Sequence, residues 1–125
     1  MDLKMYLLKF LKKKRIIAVP PENAVPETAS ESIVLKKPVD LFIRDAITGM
    51  GTILQEDLEN HFYITSVKVG FMKKALSYAL IQREEEAAHI VVYAHEGLIP
   101  QRLCFETLSK LKEKLQANEA SPPIP

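Results

Sequence analysis

The chain is poor in whatever staples, spans or exports a protein. It has one cysteine, Cys104, so no intramolecular disulfide can form. A reducing compartment is the default for such a chain. No apolar run approaches the roughly 18 residues of a membrane-spanning helix. Charge of one sign is also missing: 17 basic residues against 16 acidic ones leave a net charge of +1. Domains that wrap nucleic acid are usually strongly basic, so the balance argues against that class for the body. The N-terminus lacks the order of a secretory signal, because its charges follow the apolar stretch and no small-residue cleavage site comes after it. As an organelle transit peptide it fares no better, with one Arg, no Ser and an early acid. It reads as part of the mature protein. Internal repeats and catalytic signatures are absent as well.

What the chain does have is a charge asymmetry. Its first fifteen residues hold six bases (Lys4, Lys9, Lys12, Lys13, Lys14, Arg15) and one acid, Asp2, a local charge of +5. The other 110 residues therefore carry −4. Leu3, Tyr6, Leu7, Phe10 and Leu11 share one arc of about 140° at helical spacing, which predicts an amphipathic helix. Lys9, Lys12 and Lys13 lie opposite, while Met5 and Leu8 widen the apolar side. Such a segment has several uses. It would lie in an anionic membrane interface with its lysines snorkelling, neutralise nucleic-acid phosphates, or enter the acidic groove of a partner protein. Lys12 to Arg15 also has the form of a nuclear import run. The plainer reading packs the apolar stripe on the body, or on a second copy, and leaves the lysines in water.

Four regions follow. Residues 1–17 form the basic arm. Residues 18–32 read as a linker, with three Pro, three Glu and no base. Residues 33–117 read as one globular domain, neutral with eleven acids and eleven bases. Residues 118–125 read as a frayed tail. Within the body, 33–37 is β-like and stops at Pro38. Apolar residues recur at helical spacing from Val39 to Leu58, although Gly49 and Gly51 would each cost about 1 kcal/mol inside a helix. The alternative there is a strand at 39–44 with a hairpin of 52–56 and 62–67. Phe62 to Val69 is the clearest strand, rich in aromatic and β-branched residues. Phe71 to Glu86 reads as a helix, 89–94 as a strand buried on both faces, and Pro100 opens a last helix to about Gln116. The expected fold class is α/β: a small, mainly parallel sheet of two or three strands covered by helices, in the order (β)αβαβα. An α+β sandwich with a β-hairpin at 52–67 is the alternative.

Candidate sites are few. Gly70, at the junction of strand and expected helix, would combine helix N-terminal donors with Lys73 into an anion site. His95 and Glu96 would join it at the carboxyl edge of parallel strands. An ordinary turn explains the same residues. His61 and His89 each precede a strand, but two histidines make a poor zinc site, so no metal and no cofactor are expected. Cys104 sits on an apolar helix face, where cysteine acts as a small hydrophobe. Glu84, Glu85 and Glu86 form either a solvated end or a docking patch for a basic partner, including the arm of another copy. The small residues Gly49 and Gly51 would admit a close packing contact.

The functional expectation is a non-catalytic protein-interaction or regulatory module. It self-associates, and its basic arm tethers it to a partner protein or an anionic membrane surface. Nucleic acid is the runner-up partner, as an accessory protein would use it. A small enzyme or ligand-binding domain at the strand edge is the third reading. No small-molecule substrate is implied. The expected location is cytoplasmic, peripheral at a membrane if the arm binds lipid.

Overall fold

A computed structural model describes residues 3–15, 27–34, 40–70, 72, 75–94 and 102–120. The elements are α1 (Leu3–Lys13), β1 (Glu27–Val34), α2 (Asp40–Thr48), β2 (Gly51–Asp57), β3 (Phe62–Val69), β4 (Ala75–Arg83), β5 (Ala87–Ala94) and α3 (Leu103–Ala120). Among the described residues the strands make one open five-stranded sheet in the order β1-β5-β4-β3-β2. Every neighbouring pair is antiparallel. Strands β2 to β5 run as a meander, and β1 returns to pair with β5.

This overturns the mainly parallel sheet and the (β)αβαβα order. The decisive difference is β4. Its Ala, Leu and Gln are good helix formers, and Ala75, Leu76, Ala79 and Leu80 also fit a helical period. As a central strand, however, β4 is covered on both faces. Ser77, Ala79 and Ile81 point to one side, while Tyr78 and Leu80 point to the other. A strand buried twice loses the polar alternation that would reveal it. The long apolar period from Val39 also divides. Helix α2 stops at Thr48, Gly49 and Met50 turn, and β2 begins at Gly51. Thus β2 and β3 form a hairpin, while of the strand that accompanied that alternative at 39–44, residues 40–44 are helix α2 and Val39 falls outside the described residues. The segment read as linker also changes: its last six residues, 27–32, lie in β1, and 18–26 fall outside the described residues. Likewise 118–120 of the expected tail belong to α3, and 121–125 are outside.

Two layers of core result. On one face α2 and α3 lie side by side against the sheet. Ile43, Ala46 and Ile47 of α2 and Leu103, Cys104, Leu108, Leu111 and Leu115 of α3 cover Tyr63, Val67, Ala79, Ile81, Ile90 and Val92. Buried hydroxyls bind this layer together. Ser77 Oγ and Thr107 Oγ1 are 2.6 Å apart, and Thr107 also donates to the Leu103 carbonyl at 2.8 Å. Lys112 of α3 reaches Glu31 of β1 at 2.7 Å. On the other face α1 covers Phe62, Ile64, Leu80, Val91 and Tyr93. The β2–β3 and β4–β5 turns stand at one end of the sheet, since Phe62 pairs with Gln82 and Arg83 with Ala88. The opposite end of β3 and β4, at Lys68 and Leu76, lies beside the start of β2.

Candidate functional site

Helix α1 turns its apolar stripe inward. Leu7 and Leu11, four residues apart and so on one helix face, are fully buried, and Phe10 is 8% exposed. Leu3, Tyr6 and Leu8 are partly buried against the same cluster. The Tyr6 ring meets Phe62 edge-on, with centroids 4.9 Å apart and planes at 67°, a favoured aromatic arrangement. Of the two residues that broadened the stripe, Leu8 packs and Met5 remains exposed.

The bases all point outward. Lys4, Lys9, Lys12, Lys13, Lys14 and Arg15 are exposed. Four of them are consecutive at the carbonyl end of the helix. There, positive charge complements the negative pole of the macrodipole. The end is closed by a left-handed residue, Arg15 at φ 59°, whose N–H donates to the Lys12 carbonyl at 3.0 Å. Lys14 Nζ also lies 5.9 Å from the centre of the Phe10 ring. Part of this charge therefore serves the helix itself, and the rest forms a cationic ridge on a docked helix.

Of the expected strand-edge site, only Gly70 lies among the described residues. Gly70 keeps a positive φ of 81° and donates its N–H to Glu106 Oε2 at 2.9 Å. An acid of this chain thus occupies the donor that an anion would need, and the chain continues into β4 instead of a helix. Lys73, His95 and Glu96 fall outside the described residues. Gly49 does support a close contact: a Cβ there would stand 3.2 Å from Cε of Lys114. Cys104 is buried in α3, as its apolar helix face implied.

The two histidines go to separate partners. Nδ1 of His61 accepts from the Arg83 guanidinium at 2.8 Å. His89 bridges two groups, with Nδ1 at 2.5 Å from Ser32 Oγ and Nε2 at 3.1 Å from Glu84 Oε1. Among the described residues no group of three ligating side chains could hold a metal. The Ser32–His89–Glu84 sequence of hydroxyl, imidazole and carboxylate has the order of a proton relay. It lacks the dry surroundings that make such a relay effective: the Glu84 side chain is 61% exposed, and Ser32 lies exposed on an edge strand. Residue patterns did not reveal this cluster, because only the β1–β5 register brings Ser32 beside His89.

A second surface was not legible either. Gly49 to Thr52, Ser66 to Lys68, Leu76, Lys110, Glu113 and Lys114 line an open groove of about 690 Å³. It takes residues from the α2–β2 turn, two strands and α3, which only the tertiary fold collects. No protein-family model matches this chain, and no curated protein is significantly similar to it. Function must therefore be argued from these surfaces.

Proposed function

We propose that this protein is a non-catalytic interaction module that presents the cationic ridge of α1 to an acidic surface on a partner protein. The observation that carries the reading is the division of α1: Leu7 and Leu11 are fully buried, while every base from Lys4 to Arg15 is exposed. A helix whose apolar side is already spent on its own sheet has charge to offer and little grease. That favours contact through ion pairs over insertion into lipid, which needs the apolar face free. Complementary charge of this kind steers encounter and selects the partner more than it adds affinity.

A cytoplasmic location belongs to this reading. No helix among the described residues is long and apolar enough to cross a membrane. Peripheral lipid contact by headgroup attraction alone is the second reading, and a nucleic-acid partner the third.

The test is binding of the full chain to poly-glutamate, duplex DNA, phosphatidylserine vesicles and phosphatidylcholine vesicles at low and high salt. The variant for comparison is Lys12→Gln/Lys13→Gln/Lys14→Gln/Arg15→Gln. The expected result is salt-sensitive binding to poly-glutamate that the variant loses by at least about tenfold. Binding confined to DNA or to anionic vesicles would transfer the ridge to that partner. If the four-residue variant binds every target as the unaltered chain does, the ridge is only a solvated helix end.

A further inference from the structure

Two features away from α1 sit at opposite ends of the same strands and carry opposite charge. The first is the β4–β5 turn, where Glu84, Glu85 and Glu86 are consecutive and exposed. The turn is tight, with the Glu84 N–H donating to the Ala87 carbonyl at 2.8 Å. Glu84 is engaged by His89 at 3.1 Å, and the Arg83 guanidinium beside it bonds His61. Glu85 and Glu86 have no ionic partner among the described residues. They form the tip of a narrow acidic knob.

The second feature is the groove of about 690 Å³. Lys68, Lys110 and Lys114 are among its lining residues, with one acid, Glu113. Lys110 is held 3.5 Å from Glu106, whereas Lys68 and Lys114 have no acidic partner among the described residues. Met50 and Leu76 give the groove an apolar part, and Leu76 is 47% exposed. The carboxylates of the turn are opposite in charge to the Lys68 and Lys114 ammonium groups at this opening.

The sheet prevents this match within one chain. Strand β3 runs from Phe62, which pairs with Gln82 at the acidic end, to Lys68, which pairs with Leu76 at the groove. Those six steps span roughly 20 Å of rigid strand. We propose that the Glu84–Glu86 turn of one copy seats in the Lys68–Lys110–Lys114 groove of a second copy. The contact joins unlike surfaces, so it is head-to-tail and adds further copies into a ring or an open filament. It is small and carried by exposed charge, which makes it weak and salt-sensitive. It uses none of the α1 residues and stands independently of the function proposed above.

Sedimentation equilibrium of the full chain tests it, with Lys68→Glu/Lys114→Glu as one variant and Glu85→Lys/Glu86→Lys as the other. At roughly 0.5 mM, where weak contacts of this size are populated, the unaltered chain is expected to exceed one-chain mass at low salt. It should return to one-chain mass at about 0.5 M salt. Each variant alone should stay at one-chain mass, and an equimolar mixture of the two should regain the association, because each supplies the charge the other now needs. Far-UV circular dichroism of each variant checks folding. Carbodiimide cross-linking of the unaltered chain, which joins a carboxylate to an adjacent lysine, should couple 84–86 to Lys68, Lys110 or Lys114. A one-chain mass for the unaltered protein at low salt, or a mixture that fails to associate, overturns the proposal. A groove that instead takes up poly-glutamate through Lys68 and Lys114 while the chain stays monomeric also overturns it, and assigns the groove to a foreign acidic segment. The four-residue α1 variant should self-associate unchanged, which separates this outcome from that of the ridge.

Discussion

Removing the apolar grip of α1 is the sharpest test of how this molecule is built. Leu7 and Leu11 are both fully buried between α1 and the sheet. Truncating a buried leucine to alanine costs about 2–5 kcal/mol, through lost transfer energy and the cavity left behind. The double variant Leu7→Ala/Leu11→Ala should therefore lose about 4–6 kcal/mol of docking energy, the low end of the doubled range, because a helix packed on one side only can shift to fill space. By contrast, the exposed charges and the Lys14–Phe10 contact contribute at most about 1 kcal/mol each. Whole domains of this size are stable by only about 5–15 kcal/mol. Yet the α2–α3 layer keeps its own core on the other face, from Ile33 to Leu115. The expected outcome is local: α1 leaves the sheet while the rest stays folded. Hydrogen exchange followed by mass spectrometry should show protection lost across 3–13 and retained in β3, β4 and α3. The uncovered Phe62, Ile64, Leu80, Val91 and Tyr93 should then bind a hydrophobic dye. If the double variant loses under about 1 kcal/mol in urea unfolding and exchange across 3–13 is unchanged, α1 is not held to the sheet by Leu7 and Leu11.

Three further outcomes follow from particular contacts. Thr107→Val leaves the buried Ser77 hydroxyl with a single long bond, 3.4 Å to the Val67 carbonyl, and should cost about 1–3 kcal/mol. Adding Ser77→Ala should cost less than the two separate losses combined, as a urea double-mutant cycle would reveal. Gly51→Ala places a Cβ 2.1 Å from the Ser66 carbonyl oxygen, so β2 must move and stability should fall by about 1–3 kcal/mol. Gly49→Ala meets only the flexible end of Lys114 at 3.2 Å and backbone oxygens beyond it, and thermal melts should place it well above the Gly51 variant. The Asp57 carboxylate accepts two bonds from Asn60, both at 2.9 Å, which hold its carboxyl below the usual 3.8. The folded value is depressed, so its contribution is present above pH 3.8 and fades as pH falls through the folded value. A carbon-detected titration of Asp57 should show a midpoint below 3.8 that rises in Asn60→Ala, and a midpoint unmoved by that substitution would remove the Asn60 side chain as its cause.

Some of this was legible in residue order alone. Phe62 to Val69 is a strand because aromatic and β-branched residues fill it and Gly70 ends it. Helix α1 follows from the spacing of Leu3, Leu7 and Leu11, and the buried side of α3 from Cys104, Leu108, Leu111 and Leu115. Other elements were hidden for physical reasons. In β1, Glu27 to Ser32 offers almost no apolar side chains, so its pairing is supplied by β5. In β4, cover on both faces replaced alternation with a pattern that helical spacing also fits. At Gly49–Gly51 a helix passes into a strand while the apolar residues continue without a gap.

The candidate surfaces divide in the same way. Local spacing by itself pointed to the basic amphipathic helix found at Leu3–Lys13, because the period of an α-helix depends only on the backbone. It also located the acids at 84–86. Tertiary structure alone decided that the apolar side of α1 is consumed by the sheet, that β3 and β5 are separated by an antiparallel β4, and that Lys68, Lys110 and Lys114 share one groove. Strand order and direction are set by which buried faces pair across the sheet. That choice is made by long-range packing, and no window of neighbouring residues contains it.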